Sequence, residues 1–157
     1  MGATIEGLDV LAARLEAMPG KLAAALGEEA ARLGEELRAA VEQNLSGGVL
    51  QQRTGRLAGS IDVSVQRSGT GVSATVGSDV PYAAIHEYGG VIPAREILPT
   101  SARALAFPWQ GRERFFKRVE LPAVQMPERS FLRSALAAMA PEIRAAMAAA
   151  ASRAVTA

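Results

Sequence analysis

The sequence contains no cysteine and one histidine, and aromatic residues make up only 4% of its 157 residues. Without cysteine the chain forms no disulfide, thiolate zinc site or iron–sulfur cluster, and it has no cysteine nucleophile. Because His86 stands alone, a site with two histidine ligands from one chain is also excluded. The scarcity of aromatic side chains argues against a base-stacking platform or a large aromatic cage.

The chain also lacks an excess of charge and long apolar runs. Its 17 basic and 16 acidic residues give a net charge of +1, which provides no global reason to expect a nucleic acid or a membrane surface as partner. No apolar run approaches the roughly 18 uncharged residues of a membrane span. The amino-terminal segment has acidic residues and no basic region, unlike a signal peptide. We therefore expect no membrane partner.

Apolar periodicity predicts helices at both ends of the chain. Leucines at spacings of mostly three, four or seven predict helix over 4–45, broken at Pro19-Gly20 into a short first helix and a long second one. Near the other end, Ser130 can cap a helix that begins at Phe131. Pro141 marks either a kink in that helix or the first turn of another segment. The predicted apolar face of this last helix carries Leu132, Leu136, Met139, Ile143 and Met147.

Two β-hairpins are predicted between the helices. Apolar and polar residues alternate in 61–65 and again in 72–76, which indicates a first hairpin. A second one is predicted from 104–109 and 114–121, with Pro108 tolerated at an edge. The intervening 93–102 and the later 122–129 have the composition of irregular segments, as does the glycine-containing loop 44–60.

Ser78-Asp79 is predicted to begin a short helix over 79–88, which Gly89-Gly90 ends. The order of elements indicates an α+β fold, with an antiparallel sheet of about four to five strands covered by helices. We expect a single domain over 1–157. It comprises a helical part (1–45), a β-rich core (46–121, including the short helix) and a carboxyl-terminal loop and helix (122–157).

The residues suggest no catalytic centre. His86-Glu87 invites a metal or acid–base interpretation, but the zinc-protease pattern needs a second histidine at position 90, which is glycine. No nucleophile constellation or phosphate-binding loop stands out. We expect no enzyme activity, no cofactor, no metal and no small-molecule substrate. The alternative of an enzyme that uses His86, Glu87 and Asp79 would be dismissed by retention of function in His86→Ala.

Basic side chains concentrate in the 44–60 loop and in the second hairpin. Two interpretations stay open for the hairpin: contact with nucleic acid or an acidic partner, and a charged edge that prevents aggregation. The loop arginines are either solvated or in contact with a carboxylate or anion. The residues are Arg53 and Arg56 in the loop and Arg112, Arg114, Lys117 and Arg118 in the hairpin.

Several short motifs follow one another along the chain. They are Thr54-Gly55-Arg56-Leu57-Ala58-Gly59-Ser60, Tyr82-Ala83 followed by Glu87-Tyr88-Gly89, and Arg129-Ser130-Phe131-Leu132. Their order and spacing, over roughly residues 33–140, resemble the tail-completion, or virion-morphogenesis, family of tailed bacteriophages. The chain departs from the family pattern at Ser130, where proline is common, and at Gly90, where threonine or another glycine is frequent.

The resemblance implies a structural protein of the virion that is not an enzyme. It implies a tail-terminator-like subunit of an oligomeric ring, commonly hexameric, at the neck between head and tail. The implied partners are further copies of the chain, head connector or adaptor proteins, and tail tube or terminator proteins, with incidental contact to packaged DNA. Assembly is expected in the bacterial host cytoplasm. A tail terminator that caps the tail tube is the nearest alternative, and a nucleic-acid-binding module is a more remote one.

Candidate interface residues follow from this interpretation. The 44–60 loop and the 105–121 hairpin are expected to order on assembly, and Tyr82, Tyr88, Phe131 and Leu132 are expected to be packing anchors. Glu87 is expected to pair with Arg129 or Arg133, within one subunit or across the ring. The candidate interface residues are Arg53, Arg56, Tyr82, Glu87, Tyr88, Arg112, Arg114, Lys117, Arg118, Arg129 and Arg133.

Overall fold

The computed structural model describes residues 8–51, 53–69, 71–100 and 103–156. It confirms the predicted α+β class, with long helices near both ends and short antiparallel strands between them. The contacts divide the chain into two compact units. The helix–hairpin unit runs up to Ala83 and resumes at Ser130, and the ladder unit is Ala84–Arg129. The single domain expected over 1–157 stays a prediction.

Helix α1 spans Leu8–Gln43 without interruption. The predicted break at Pro19-Gly20 is therefore wrong, and residues 4–7 of the predicted helix lie outside the described residues. Proline removes one backbone hydrogen bond of a helix, but the alanine- and leucine-rich turns on both sides favour helical backbone strongly enough to continue it. The second half of α1 buries Leu33, Leu37 and Val41.

The predicted loop contains a kinked turn over Asn44–Gly48, where Ser46 and Gly47 depart from helical backbone angles, and a 3₁₀ turn over Ala58–Ser60. The Asn44 side-chain amide donates a hydrogen bond of 2.8 Å to the carbonyl of Phe131, which ties the end of α1 to the start of the last helix. The hydrophobic core lies around this junction. It consists of Leu37, Val41, Leu45, Leu50, Ile61, Phe131 and Ala135.

The first predicted hairpin is confirmed, with β1 at Ile61–Ser68 and β2 at Gly71–Ser78. The strands pair antiparallel from Ile61 opposite Ser78 to Ser68 opposite Gly71. Thr70, in the connecting turn, lies outside the described residues. Gly34 of α1 allows the hairpin to approach closely, because a Cβ there would lie 2.7 Å from Cγ1 of Val63.

Helix α3 spans Leu132–Thr156 and continues through Pro141 as one element. It begins one residue later than predicted. Four residues of its predicted apolar face are partly buried, namely Leu132, Met139, Ile143 and Met147. Leu136 is 43% exposed, while Ala135 and Ala150 are buried. Because the alanine side chain is a single methyl group, alanines allow two helix backbones to approach closely.

Helix α2, Ala83–Tyr88, is shorter than the predicted 79–88 because the chain forms a turn at Pro81-Tyr82. The ladder unit follows with six short strands, where two arms of a hairpin were predicted. The described residues therefore form eight strands in four two-stranded ladders, whereas a sheet of about four to five strands was expected. The six strands are β3 (Gly90–Ile92), β4 (Arg95–Ile97), β5 (Leu105–Trp109), β6 (Arg112–Phe116), β7 (Val119–Leu121) and β8 (Val124–Met126).

The three ladders of this unit, β3–β8, β4–β7 and β5–β6, are nested around one tight turn. Gln110 and Gly111 at that turn both have positive φ, 52° and 76°, which suits a two-residue hairpin. The segments 93–102 and 122–129, predicted as irregular, contribute β4 and β8. Alternation of apolar and polar residues over only three positions is too short to predict a strand from sequence. Such a strand forms because it pairs with a segment distant in sequence.

Prolines separate the two outer ladders. Gly90 faces Met126 and Arg95 faces Leu121, so one register runs through β3–β8 and β4–β7. In that register Pro93 and Pro122 fall between the ladders. Since proline has no N–H group, ladder hydrogen bonds are lost there. The ladder unit is thus one long hairpin with interruptions.

Candidate interaction surfaces

The motif that begins at Thr54 forms a structural turn. The Thr54 hydroxyl oxygen accepts a hydrogen bond of 3.4 Å from the Arg56 N–H, and Gly55 has a φ of 74°. The Ser60 hydroxyl donates to the Leu57 carbonyl at 2.8 Å and lies 2.7 Å from the Ser78 hydroxyl oxygen. These bonds fix the chain where it enters β1, beside the residue where β2 ends.

The same turn leaves its arginines at the surface. Arg53 and Arg56 are both exposed, which is consistent with the interpretation that the loop arginines are solvated. Arg56 lines an open hollow of about 840 Å³ beside β1 and β2, together with Arg38, Asp62 and Asp79. Basic, acidic and hydroxyl side chains all line this hollow, so it favours neither an anionic nor a cationic ligand.

The second and third motifs meet in the ladder unit. The Arg129 N–H donates a hydrogen bond of 2.9 Å to the His86 carbonyl. Gly89 has a φ of 68°, and a Cβ at that position would lie 2.7 Å from the Glu128 backbone nitrogen. Glycine is therefore required at position 89 for two reasons, backbone conformation and close approach. The predicted helix end at Gly89-Gly90 is confirmed.

The residues around this junction differ widely in exposure. Glu87 is only 5% exposed, so little of its side chain is accessible to another subunit. Tyr88 is 63% exposed and Tyr82 38%, whereas Phe131 is 2% exposed. Phe131 therefore has the position expected of a packing anchor, and Tyr88 does not anchor the core of this chain. The expected interface roles of Glu87, Arg129 and Arg133 stay predictions.

Hairpin β5–β6 presents different side chains on its two faces. Phe107 and Phe116 stack on one face, with ring centroids 5.0 Å apart and planes within 12°. Alternation along β6 places Arg112 and Arg114 on that same face. Phe115, on the other face, is 68% exposed. Of the two phenylalanines of β6, Phe116 is therefore the one in the aromatic stack.

The four basic residues of this hairpin region have different surroundings. Arg118 lies 3.5 Å from Glu96 and 3.1 Å from Glu120, so its charge is partly compensated. Arg114 and Arg118 border a hollow of about 430 Å³ with the two stacked phenylalanines. Within the described part of the chain, no ion pair involves Arg112, Arg114 or Lys117. The predicted basic surface is therefore reduced to Arg112, Arg114 and Lys117.

Sequence reasoning missed the contacts that join distant segments. Asn44 fell where the predicted helix 4–45 and the predicted loop 44–60 overlap and was given no contact, although its side-chain amide donates a hydrogen bond to the Phe131 carbonyl that ties two helices together. A polar residue directly after a long amphipathic helix was the available signal. The Glu96–Arg118 pair had no signal, because it depends on a strand pairing that the sequence did not predict.

Two further findings concern the described ranges alone. No group of three or more His, Cys, Asp or Glu side chains is placed there to hold a metal ion. None of the helices in those ranges is long and apolar enough to cross a membrane.

The described residues form an α+β fold. The three sequence motifs lie at turns and at the junction between α1 and α3. The chain belongs to the phage virion morphogenesis family, since a model of that family matches residues 8–150. Membership indicates a structural or assembly role in a phage and association with the virion, and it confirms the resemblance found in the motifs. Comparisons with curated proteins and with solved structures gave no significant match.

Proposed function

We propose that the chain is a non-catalytic subunit of an oligomeric ring, hexameric by family resemblance, that completes the tail of a phage or phage-like particle and joins it to the head. Further copies of the chain would form the ring. Head connector or adaptor proteins would bind one side of it and tail tube or terminator proteins the other. The family match supports the assembly role. The separate ladder unit supports a subunit with an extension that contacts another subunit.

The observation that carries this proposal is the exposure of apolar side chains in the ladder unit. Among its described residues no hydrophobic side chain is buried, while five large ones outside α2 are 37–68% exposed: Val91, Ile97, Leu98, Phe115 and Val124. A hairpin of this kind is stabilised mainly by backbone hydrogen bonds, and it gains free energy when a partner covers it. Ring subunits need extensions that contact a neighbour.

The basic face of β5–β6 is compatible with incidental contact to packaged DNA in the channel of such a ring. Such contact would be electrostatic and would fall steeply with salt. Strong, salt-dependent duplex binding by the free protein would favour the nucleic-acid-binding module over the neck ring.

The first experiment is electron microscopy of particles from cells in which the gene is disrupted early, with a complemented control. We expect filled heads beside free, unattached tails. Tails of uncontrolled length would indicate the tail terminator instead. Intact, infectious particles would contradict both roles.

Complementation with variants tests the part played by the ladder unit. Phe115→Ser should abolish joining while leaving the melting temperature of the purified protein nearly unchanged, because the side chain is 68% exposed. Val65→Ser, at an exposed apolar position on β1, is the matched control and should restore joining. Equal complementation by both variants would contradict a contact through this hairpin.

A further inference from the structure

The two outer edges of hairpin β5–β6 differ in the hydrogen-bonding groups that they offer. Trp109 and Arg112 flank the two-residue turn, so they form the first hydrogen-bonded pair of the ladder. Because such pairs alternate with pairs that are not hydrogen-bonded, the backbone groups of Pro108 on β5 point outward, as do those of Glu113 and Phe115 on β6. Proline has no N–H group, so the β5 edge lacks a donor at that position, whereas the β6 edge keeps both of its donors.

The β6 edge is open in the single chain. Among the described residues β6 pairs with β5 alone, so its outward N–H and C=O groups have no strand beside them. Such an edge is a template for an extended strand of another chain. Phe115, one of the two outward positions, is 68% exposed, so an added strand would also cover its ring. The edge therefore fits a β-strand, and the sequence of β6 indicates which one.

The sequence Glu-Arg-Phe-Phe-Lys at 113–117 is complementary to itself in the antiparallel direction. When two copies align with Phe115 opposite Phe115, each Glu113 faces Lys117 of the other copy. In the same alignment each Arg114 faces Phe116 of the other copy. Opposite charges and aromatic pairs on adjacent strands are stabilising, and an arginine beside an aromatic ring adds a cation–π contact.

The neighbouring registers that also keep the outward backbone groups paired place like charges opposite each other. Moving the alignment one step toward the turn puts Arg114 opposite Arg114, and a second step puts Glu113 opposite Glu113. Like charges directly opposite on two strands are destabilising. The register centred on Phe115 has like charges only at its ends, where Arg112 faces Arg118, whose charge two glutamates of its own chain already compensate.

Glu113 and Lys117 are available for this contact. Both residues are exposed, and within the described part of the chain no ion pair involves either of them. The chain bends at Lys117, directly after β6. Because the lysine side chain is long and flexible, its pairing with a glutamate needs no regular strand backbone at that position.

We propose that two copies of the chain pair through the outer edges of β6, antiparallel and centred on Phe115. The contact uses the same patch on both copies, so it closes as a two-fold dimer and does not repeat around a ring. It joins the two hairpins into one four-stranded sheet. Because the dimer covers Phe115, it must dissociate before that side chain takes part in joining, and it protects the open edge of the free protein until then. The inference concerns the free protein and does not depend on where the chain acts in a particle.

Sedimentation velocity of the full chain over a range of concentrations measures this dimer. Glu113→Lys and Lys117→Glu each replace two attractive pairs by two repulsive ones, so each should weaken dimerisation by about 10-fold or more. Glu16→Lys and Lys21→Glu, at exposed positions of α1, change the net charge equally and should dimerise like the natural chain. A natural chain that stays monomeric at every concentration would overturn the proposal.

Mixing Glu113→Lys with Lys117→Glu gives the sharper result. In a heterodimer of these variants the introduced lysine faces the introduced glutamate, and the natural Lys117 of one chain faces the natural Glu113 of the other. The heterodimer should therefore form with nearly the natural affinity, although each variant alone associates weakly. The chain that carries both substitutions should recover dimerisation for the same reason. A mixture without heterodimer would contradict the pairing.

Cross-linking tests the register, because the natural chain has no cysteine to interfere. Phe115→Cys should form a disulfide between two copies under mild oxidation, since this position meets itself at the two-fold axis. Arg112→Cys should not, because its two copies lie about 20 Å apart along the paired strands. Equal yields from both variants would contradict the register. If the dimer forms while gene disruption leaves particles intact, the strand pairing is real and the neck function is wrong.

Discussion

The two compact units of this chain are stabilised in different ways. Every described hydrophobic residue that is buried belongs to the helix–hairpin unit, from Ala30 on α1 to Ala150 on α3. In the described part of the ladder unit, the one buried residue is a charged one, Glu87. The ladder unit is held by three nested ladders and one aromatic stack instead of a core.

This difference indicates where free energy is left for assembly. Burial of apolar surface is the dominant stabilising term in a folded chain, and the hydrophobic core found among the described residues lies in the helix–hairpin unit. The ladder unit keeps its apolar side chains at the surface, so its stabilisation depends on what covers them. Regions with few buried apolar contacts also open most readily. We therefore expect the ladder unit to be the less protected part of the free protein.

The largest effect should come from Phe131→Ala. The side chain is 2% exposed and lies in the core cluster, so its loss leaves a cavity and should cost about 3–5 kcal/mol in the free energy of unfolding. Urea denaturation of the purified protein measures this cost. Phe115→Ala in the ladder unit is the matched control and should cost below about 1 kcal/mol, as is usual for surface positions. Similar losses for both phenylalanines would show that the two units do not differ in this way.

Gly89→Ala should produce the next largest effect, confined to the ladder unit. A side chain at this positive φ costs roughly 1–3 kcal/mol, and the new Cβ also meets the Glu128 backbone nitrogen. We expect faster amide hydrogen exchange in β3 and β8 with little change in α1 and α3. Gly111→Ala has a similar φ of 76° with no atom within 4 Å of the added Cβ, so it should show the backbone strain alone. Loss of protection in both units together would mean that they unfold as one.

Asn44→Ala should have a smaller effect, in the helix–hairpin unit. Removing the amide deletes its hydrogen bond to the Phe131 carbonyl, which costs about 0.5–1.5 kcal/mol. Its readout is the urea midpoint, together with amide exchange in the first turns of α3. Gln43→Ala, at the adjacent exposed position, serves as the control. An unchanged midpoint for Asn44→Ala would show that apolar packing alone joins the two helices.

Local patterns predicted most of the helix–hairpin unit. The leucine period predicted α1, and alternation in 61–65 and 72–76 predicted the pairing of β1 with β2. Pro19 was misleading, because a single missing hydrogen bond does not end a helix whose neighbours favour helical backbone strongly. Leu136 is the most exposed residue of the predicted α3 face, whereas the adjacent Ala135 is buried, because periodicity defines a helix face only to within about one residue.

The ladder unit could not be predicted to the same extent. Its outer strands are three residues long and pair across almost the whole unit, so neither alternation nor turn residues mark them. The candidate surface residues were chosen by charge, which sequence shows directly. Sequence did not show that Arg118 is paired with Glu96 and Glu120 while Arg112 shares a face with stacked rings, because both facts follow from strand register.

The smallest expected effect is a pH dependence specific to the helix–hairpin unit. The hydrogen bond from Arg32 lowers the pKa of Glu29 from its ordinary value of 4.5, and the nearby Arg32 and Arg153 charges act in the same direction. A carboxyl group whose pKa is lower in the folded state adds stability above its unfolded pKa, and this stability is lost as pH falls through the folded value. The melting temperature should therefore decrease slightly more steeply below about pH 4.5 in the natural chain than in Glu29→Gln. Glu28→Gln, an exposed neighbour on α1, is the control and should keep the natural slope. Because the Arg32 side chain of this pair is exposed, the difference should shrink in high salt, and a difference that persists there would mean that the Glu29 carboxylate acts through buried contacts instead.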